Sequence, residues 1–126
     1  MGRKNLVYNF KPIGSVEVPG DMSVADIVGT KSNVAQYDAV TYEISWSGGQ
    51  ATNGNLIIEY TKDPEGLTGW RTLPLDGTPV LNGAEGSHLI LITEIGFNFL
   101  RPHYERTNVG ATGSLEVNIF QTNKGA

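Results

Sequence analysis

Seven consecutive residues, Val40-Thr41-Tyr42-Glu43-Ile44-Ser45-Trp46, alternate large apolar side chains with small or charged ones, and Gly48-Gly49 follows at once. Successive side chains of a strand point to opposite faces, so a period of two makes one wet face and one dry face. Val40, Tyr42, Ile44 and Trp46 then form one apolar row. The same pattern recurs at Leu56–Thr61, Ser87–Thr93 and Ser114–Gln121, with no helical period between them. A chain built this way is all-β, and its apolar rows are its core.

Turn chemistry supports this reading. Asp63-Pro64-Glu65-Gly66 and Asp76-Gly77-Thr78-Pro79 are turn signals, because Pro presets φ and Gly tolerates positive φ. Trp70–Leu75 reads as a short strand that Pro74 places at an edge, and Phe99–Arg106 as a strand in which Pro102 forces an edge or a bulge. The link between Trp46 and Leu56 is long for a tight hairpin and suits a longer loop or a crossing between two sheets. His88-Leu89-Ile90-Leu91-Ile92 is apolar on both faces, which suits a strand covered on both sides, by another subunit or by the arm. Met22–Thr30 reads as a short strand or a single turn. Strands spaced about 8–12 residues apart with Gly/Pro turns predict an antiparallel β-sandwich, jelly-roll-like, of about seven or eight strands.

The N-terminal residues differ from the rest. Leu6, Tyr8 and Phe10 alternate with Asn5, Val7 and Asn9, and Pro12, Gly14, Pro19 and Gly20 then break the chain. Residues 1–24 are therefore expected to be an extended arm with one or two short strands, and residues 25–126 a single sandwich domain. An arm with three large apolar residues at period two has to bury them, on its own sandwich or on a neighbouring subunit. Arg3, Lys4 and Lys11 are the only charges in the first sixteen residues, whereas residues 17–126 hold thirteen acids and six bases, a net of −7. Arg3, Lys4, Leu6, Tyr8, Phe10 and Lys11 are thus the candidate subunit-contact residues.

Composition excludes several functions. With no Cys there is no disulfide framework, thiolate metal site or Cys nucleophile, and a net charge of −4 disfavours a general nucleic-acid binder. No segment approaches the roughly 18 apolar residues of a membrane span. No signal-peptide pattern opens the sequence, so synthesis in a cytoplasm is expected.

The chemistry-bearing residues are sparse. Asp63 and Glu65 flank Pro64, with Glu59 on the preceding strand, but nothing in the sequence sets a second carboxylate across a cleft from them as a glycosidase requires. A metal site would have to join His88 and His103 with a carboxylate such as Glu105. No Ser sits in a nucleophile elbow. Gly48-Gly49 and Gly110–Gly113 precede no helix and read as turns rather than phosphate cradles. Trp46 falls in the core row. Trp70 opens its strand after a Gly and is the better candidate for a surface platform, although the burial tendency of aromatics favours packing against the opposite sheet. Arg101, His103 and Glu105 share one strand face, a row suited to solvent or to a subunit boundary. No catalytic residue, cofactor or metal site is expected.

Taken in order, Ser32-Asn33, Gln36-Tyr37-Asp38, Ile44-Ser45-Trp46-Ser47-Gly48, Gly54-Asn55-Leu56-Ile57-Ile58-Glu59-Tyr60, Gly69-Trp70-Arg71-Thr72-Leu73, Gly96–Tyr104 and Gly113-Ser114-Leu115-Glu116-Val117 resemble pieces of small β-sandwich virion-associated structural proteins of tailed bacteriophages, of the capsid-decoration kind. The resemblance spans about residues 32–121. It implies a non-enzymatic virion protein, made in the host cytoplasm, whose partners are other capsid or tail proteins and copies of itself, with no nucleic acid and no membrane. The strands around Ile57–Tyr60, Trp70–Leu73 and Phe99–Arg101 also resemble the discoidin-type galactose-binding jelly roll. That resemblance implies a carbohydrate-binding module with Trp70, Asp63 and Glu65 as contact residues.

Overall fold

The computed structural model of the chain describes residues 3–9, 20–49, 53–75, 79–93 and 95–124. They form eleven strands and no helix: β1 (Arg3–Asn9), β2 (Gly20–Asp21), β3 (Ile27–Val28), β4 (Ser32–Asn33), β5 (Ala39–Ser47), β6 (Gly54–Thr61), β7 (Arg71–Thr72), β8 (Val80–Leu81), β9 (Glu85–Ile92), β10 (Phe99–Arg106) and β11 (Ser114–Lys124). The strand count exceeds the expected seven or eight because β2, β3, β4, β7 and β8 are two residues each. A two-residue strand shows no alternation, so sequence period cannot reveal it.

All pairings are antiparallel. One sheet runs β1-β11-β5-β9 with β2 on β11, and the other runs β3-β10-β6-β7 with β4 on β10 and β8 on β6. The chain passes from the first sheet to the second between β5 and β6, the second of the two roles the long link allowed, and returns at β9 and β11. The fold is therefore an antiparallel, jelly-roll-like β-sandwich.

The row on β5 lies where the alternation places it. Val40, Tyr42 and Ile44 are at most 2% exposed, and Trp46, half-buried, packs against the end of the same core. Leu115, Val117 and Ile119 of β11 and Ile90 and Ile92 of β9 extend the dry face across the first sheet. Leu56 and Ile58 of β6 with Leu100 and Tyr104 of β10 oppose it from the second. Each such aliphatic side chain contributes roughly 1.5–3 kcal/mol on burial.

Polar groups in this core differ in how they are satisfied. The Tyr104 hydroxyl lies 3.2 Å from the Met22 carbonyl oxygen and 3.3 Å from that of Asn53, to which it can donate. The buried Asn53 amide in turn donates to the Thr112 carbonyl at 2.8 Å, tying the start of β6 to the loop before β11. The Tyr42 hydroxyl, by contrast, is buried with no hydrogen-bond partner among the described residues, and desolvation pushes its pKa far up.

Among the described residues one face of the run His88–Ile92 is covered: Ile90 and Ile92 face the core, while Leu89 and Leu91 are 57% and 64% exposed on the edge strand β9, the face expected to meet another subunit or the arm. One expectation needs correction. Pro102 stands in a central strand, neither at an edge nor in a bulge, and pairs in unbroken register with Ile58. Its carbonyl accepts from the Gly29 amide at 2.8 Å on the side away from β6. In an antiparallel ladder a residue's N–H and C=O point the same way, so the donor Pro102 lacks would have faced the gap between β3 and β4. No ladder bond is lost. Gly29 completes the fit, because a Cβ there would sit 2.6 Å from Cγ of the Pro102 ring.

The segment expected to be an arm contributes a strand. The backbone of Arg3–Asn9 pairs with β11, with Tyr8 opposite Phe120 and Leu6 opposite Thr122. Arg3, Lys4, Leu6 and Tyr8 therefore occupy positions on β1. Phe10 and Lys11 lie outside the described residues, as do residues 76–78 of the second expected turn.

These contacts predict three outcomes under denaturant. Gly29→Ala should cost about 1–3 kcal/mol, because the proline ring cannot yield to the new methyl. Tyr104→Phe should cost about 1 kcal/mol, whereas Tyr42→Phe should leave stability unchanged or raise it by up to about 1 kcal/mol, since it removes only an unpaired hydroxyl. Urea midpoints at constant m-value measure all three; equal losses for the two tyrosines would contradict the assignment.

Candidate functional site on the outer face of the second sheet

The register that buries Leu100, Pro102 and Tyr104 turns Arg101 and His103 outward, and the same alternation on β6 turns Glu59 outward. Arg101 stands directly opposite Glu59. Its Nε donates to Glu59 Oε1 at 2.7 Å, and His103 Nδ1 lies 3.2 Å from Glu59 Oε2. Beyond His103, the Asp26 carboxylate accepts from the Arg106 amide at 2.8 Å and lies 3.5 Å from His103 Nε2. A carboxylate, a guanidinium and an imidazole are thus held side by side on two central strands. Their side chains are only 14%, 23% and 19% exposed.

Trp70 lies over this group. The Arg101 guanidinium carbon stands 4.0 Å from the centroid of the indole. Such a cation–π contact contributes on the order of 0.5–2 kcal/mol, more when desolvated. Arg101 covers one indole face at most, and Trp70 is half-buried rather than buried. The residue enters β7 from a closed loop. Asp63 Oδ2 accepts from the Leu67 and Thr68 amides at 2.8 and 3.0 Å, and Lys31 Nζ donates to the Glu65 carbonyl at 2.9 Å. Gly66, at φ +68°, makes the turn.

Each sequence-predicted residue can now be placed. Trp70 is at the surface site. Asp63 closes its own loop: the Leu67 amide, followed by those of Thr68 and Glu65, holds its carboxyl below the usual carboxylate range. Glu65 is exposed at the tip of that loop. His88 lies on β9 in one sheet and His103 on β10 in the other, and among the described residues no three His, Asp or Glu side chains gather as metal ligands. Trp46 is committed elsewhere. Its Nε1 donates to the Asn82 carbonyl at 3.0 Å, and its indole lies so close to Gly86 that a Cβ there would sit 2.8 Å from Cε2. A groove of about 530 Å³ beside it is lined by Trp46 and Gly86 together with Ser45, Ser47, Ser87, Ser114, Glu85 and Glu116. The pairing of Glu59 with Arg101 and His103 was not readable from sequence; the charged row on β10 was the one available signal.

No protein-family model matches the chain, and no curated protein matches it in sequence. Solved structures resemble it in fold. Chitosan-binding module 1 of a chitosanase/glucanase from Paenibacillus sp. IK-5 is 16% identical at TM-score 0.52, over 92% of this chain and 93% of that one. Dimeric latent PorU from Porphyromonas gingivalis is 11% identical at TM-score 0.52, over 99% of this chain but only 13% of that one. Infectious bursal disease virus, Gx strain, is 12% identical at TM-score 0.51, over 97% of this chain and 32% of that one. At these identities the likeness concerns the sandwich fold. This chain spans nearly the whole of the first structure and a minor part of the other two.

The Glu59 cluster carries a pH signature. Burial by itself would raise the carboxyl, but hydrogen bonds from Arg101 and His103, reinforced by their charges, outweigh it and hold Glu59 below its ordinary value. Around the unfolded carboxyl's ordinary value of about 4.5, the unfolded chain binds more protons than the folded one. The Glu59 contribution is therefore complete above that pH and is lost as pH falls through the lower folded value. Glu59→Gln should lower the thermal midpoint near neutrality and flatten its decline between about pH 6 and pH 3, so that the two curves converge in acid. Parallel curves would remove Glu59 from the stabilising set.

Proposed function

We propose that this chain is a non-catalytic carbohydrate-binding β-sandwich module. The observation that carries the reading is the half-buried Trp70 indole stacked on Arg101, with Glu59 and His103 beside it on the outer face of a sheet. A pyranose ring presents an apolar C–H face and a rim of hydroxyls. An indole face takes the first, and a guanidinium, carboxylate and imidazole held in place take hydrogen bonds from or to the second. Because the polar groups sit on central strands of one register, little ordering is left for binding to supply. The end-to-end similarity in fold to a chitosan-binding module supports the same reading. Asp63 and Glu65 act here through the loop that holds Trp70.

A second reading, a virion structural protein assembling with capsid or tail proteins and with copies of itself, rests on the similarity to a viral structure over 97% of this chain. It predicts many copies of the chain in purified particles, countable by mass spectrometry.

For the glycan reading, calorimetric titration of the chain against a panel of soluble oligosaccharides should show saturable binding to at least one class. Trp70→Ala should weaken that binding about tenfold or more, equivalent to about 1.4 kcal/mol, with the β-sheet circular dichroism unchanged. Absence of any binding by the wild-type chain at millimolar sugar would refute the module.

A further inference from the structure

We propose that a second site, independent of the Trp70 face, lies in the cleft at the β7 edge of the sandwich and takes a small carboxylate carried on an apolar ring. The cleft measures about 530 Å³, within the range of small-molecule sites. Tyr60, Leu73, Ile95 and Phe97 line it; each is half-buried, packed against the core on one side and open to the cleft on the other. The Tyr60 and Phe97 rings stand 5.3 Å apart, tilted by 39°, and so form an angled wall rather than a closed stack. A flat apolar body fits against such a wall.

Charge selects the rest of the ligand. Among the described residues of the lining Lys62 is the one that carries a charge; it is exposed and follows directly after β6, two positions beyond Tyr60. Arg71, also exposed, stands directly across from Tyr60 on β7. Among the described residues neither side chain is in an ion pair. One cation thus lines the apolar cleft and a second stands opposite Tyr60 in the sheet, on a chain of net charge −4. An ammonium ligand would be repelled there, a neutral one would leave both charges unused, and a carboxylate would gain a charge-assisted hydrogen bond. A carboxylate on a six-membered ring is found in aryl acids and in uronic acids. The apolar lining gives the hydroxyls of a uronic acid few partners and favours the aryl acid.

The test uses the full chain and amide-detected NMR titration with phenylacetate, phenethylamine and glucuronate. Phenylacetate should bind saturably in the millimolar range, about 4 kcal/mol, with the largest shifts at Tyr60, Lys62 and Phe97, while phenethylamine and glucuronate leave them in place. Lys62→Gln should weaken phenylacetate about fivefold. Phe97→Ala should abolish binding, with Phe97→Leu as the variant that retains the packing if the first does not fold. Trp70→Ala should leave phenylacetate binding unchanged, which separates this site from the glycan face. No phenylacetate binding, equal binding of phenethylamine, preference for glucuronate, or loss on Trp70→Ala would each overturn the assignment.

Discussion

Burial of the β5 row between the two sheets is the constraint on which the other parts depend. Tyr42 and Ile44 belong to a strand flanked on both sides by long partners, β11 and β9, and they meet Leu56, Ile58, Leu100 and Tyr104 from across the sandwich. With no disulfide to restrict the unfolded chain, the free energy of this one layer has to offset the conformational entropy of ordering the strands. The chain accepts an unpaired Tyr42 hydroxyl to fill it, which shows how far packing outweighs a single polar defect here.

The same layer sets the site. β6 and β10 each show one face to the core and one to solvent, in a shared register of eight pairs from Phe99–Thr61 to Arg106–Gly54. Leu100, Pro102 and Tyr104 hold that register from within. A slip of one residue would bury Arg101 and expose Leu100. The 2.7 Å contact between Arg101 and Glu59 is therefore a consequence of core packing, and Trp70 is stacked on a guanidinium that the core has already positioned. The loop closed by Asp63 supplies the remaining constraint, by fixing where the chain enters β7.

The long strands were legible because each carries several alternations: the β5 and β11 rows can be read off their residues. The residues around Trp70 were partly legible, since an aromatic after a glycine at the head of a short strand stands out. Other features were not. Pro102 looked like an edge signal because a proline removes a donor, and only the geometry shows that the lost donor faced a gap and that Gly29 leaves room for the ring. Leu89 and Leu91 suited a strand covered on both sides, but their hydrophobicity says nothing about which side has a neighbour within the chain. Asp63 could be read both as a turn former and as a ligand group, because a free carboxylate and a loop-closing one have the same sequence; the structure shows it closing its own loop.

By itself, the sequence determined the class of fold and which side chains face the core, because period two and turn chemistry are local properties of the backbone. It determined also that Arg101 and His103 share a face. Only the tertiary structure decided what that face meets. Glu59, Arg101, Trp70 and Asp26 come from four separate segments, and their meeting depends on strand order and register, which arise from long-range packing and leave no mark in any one segment.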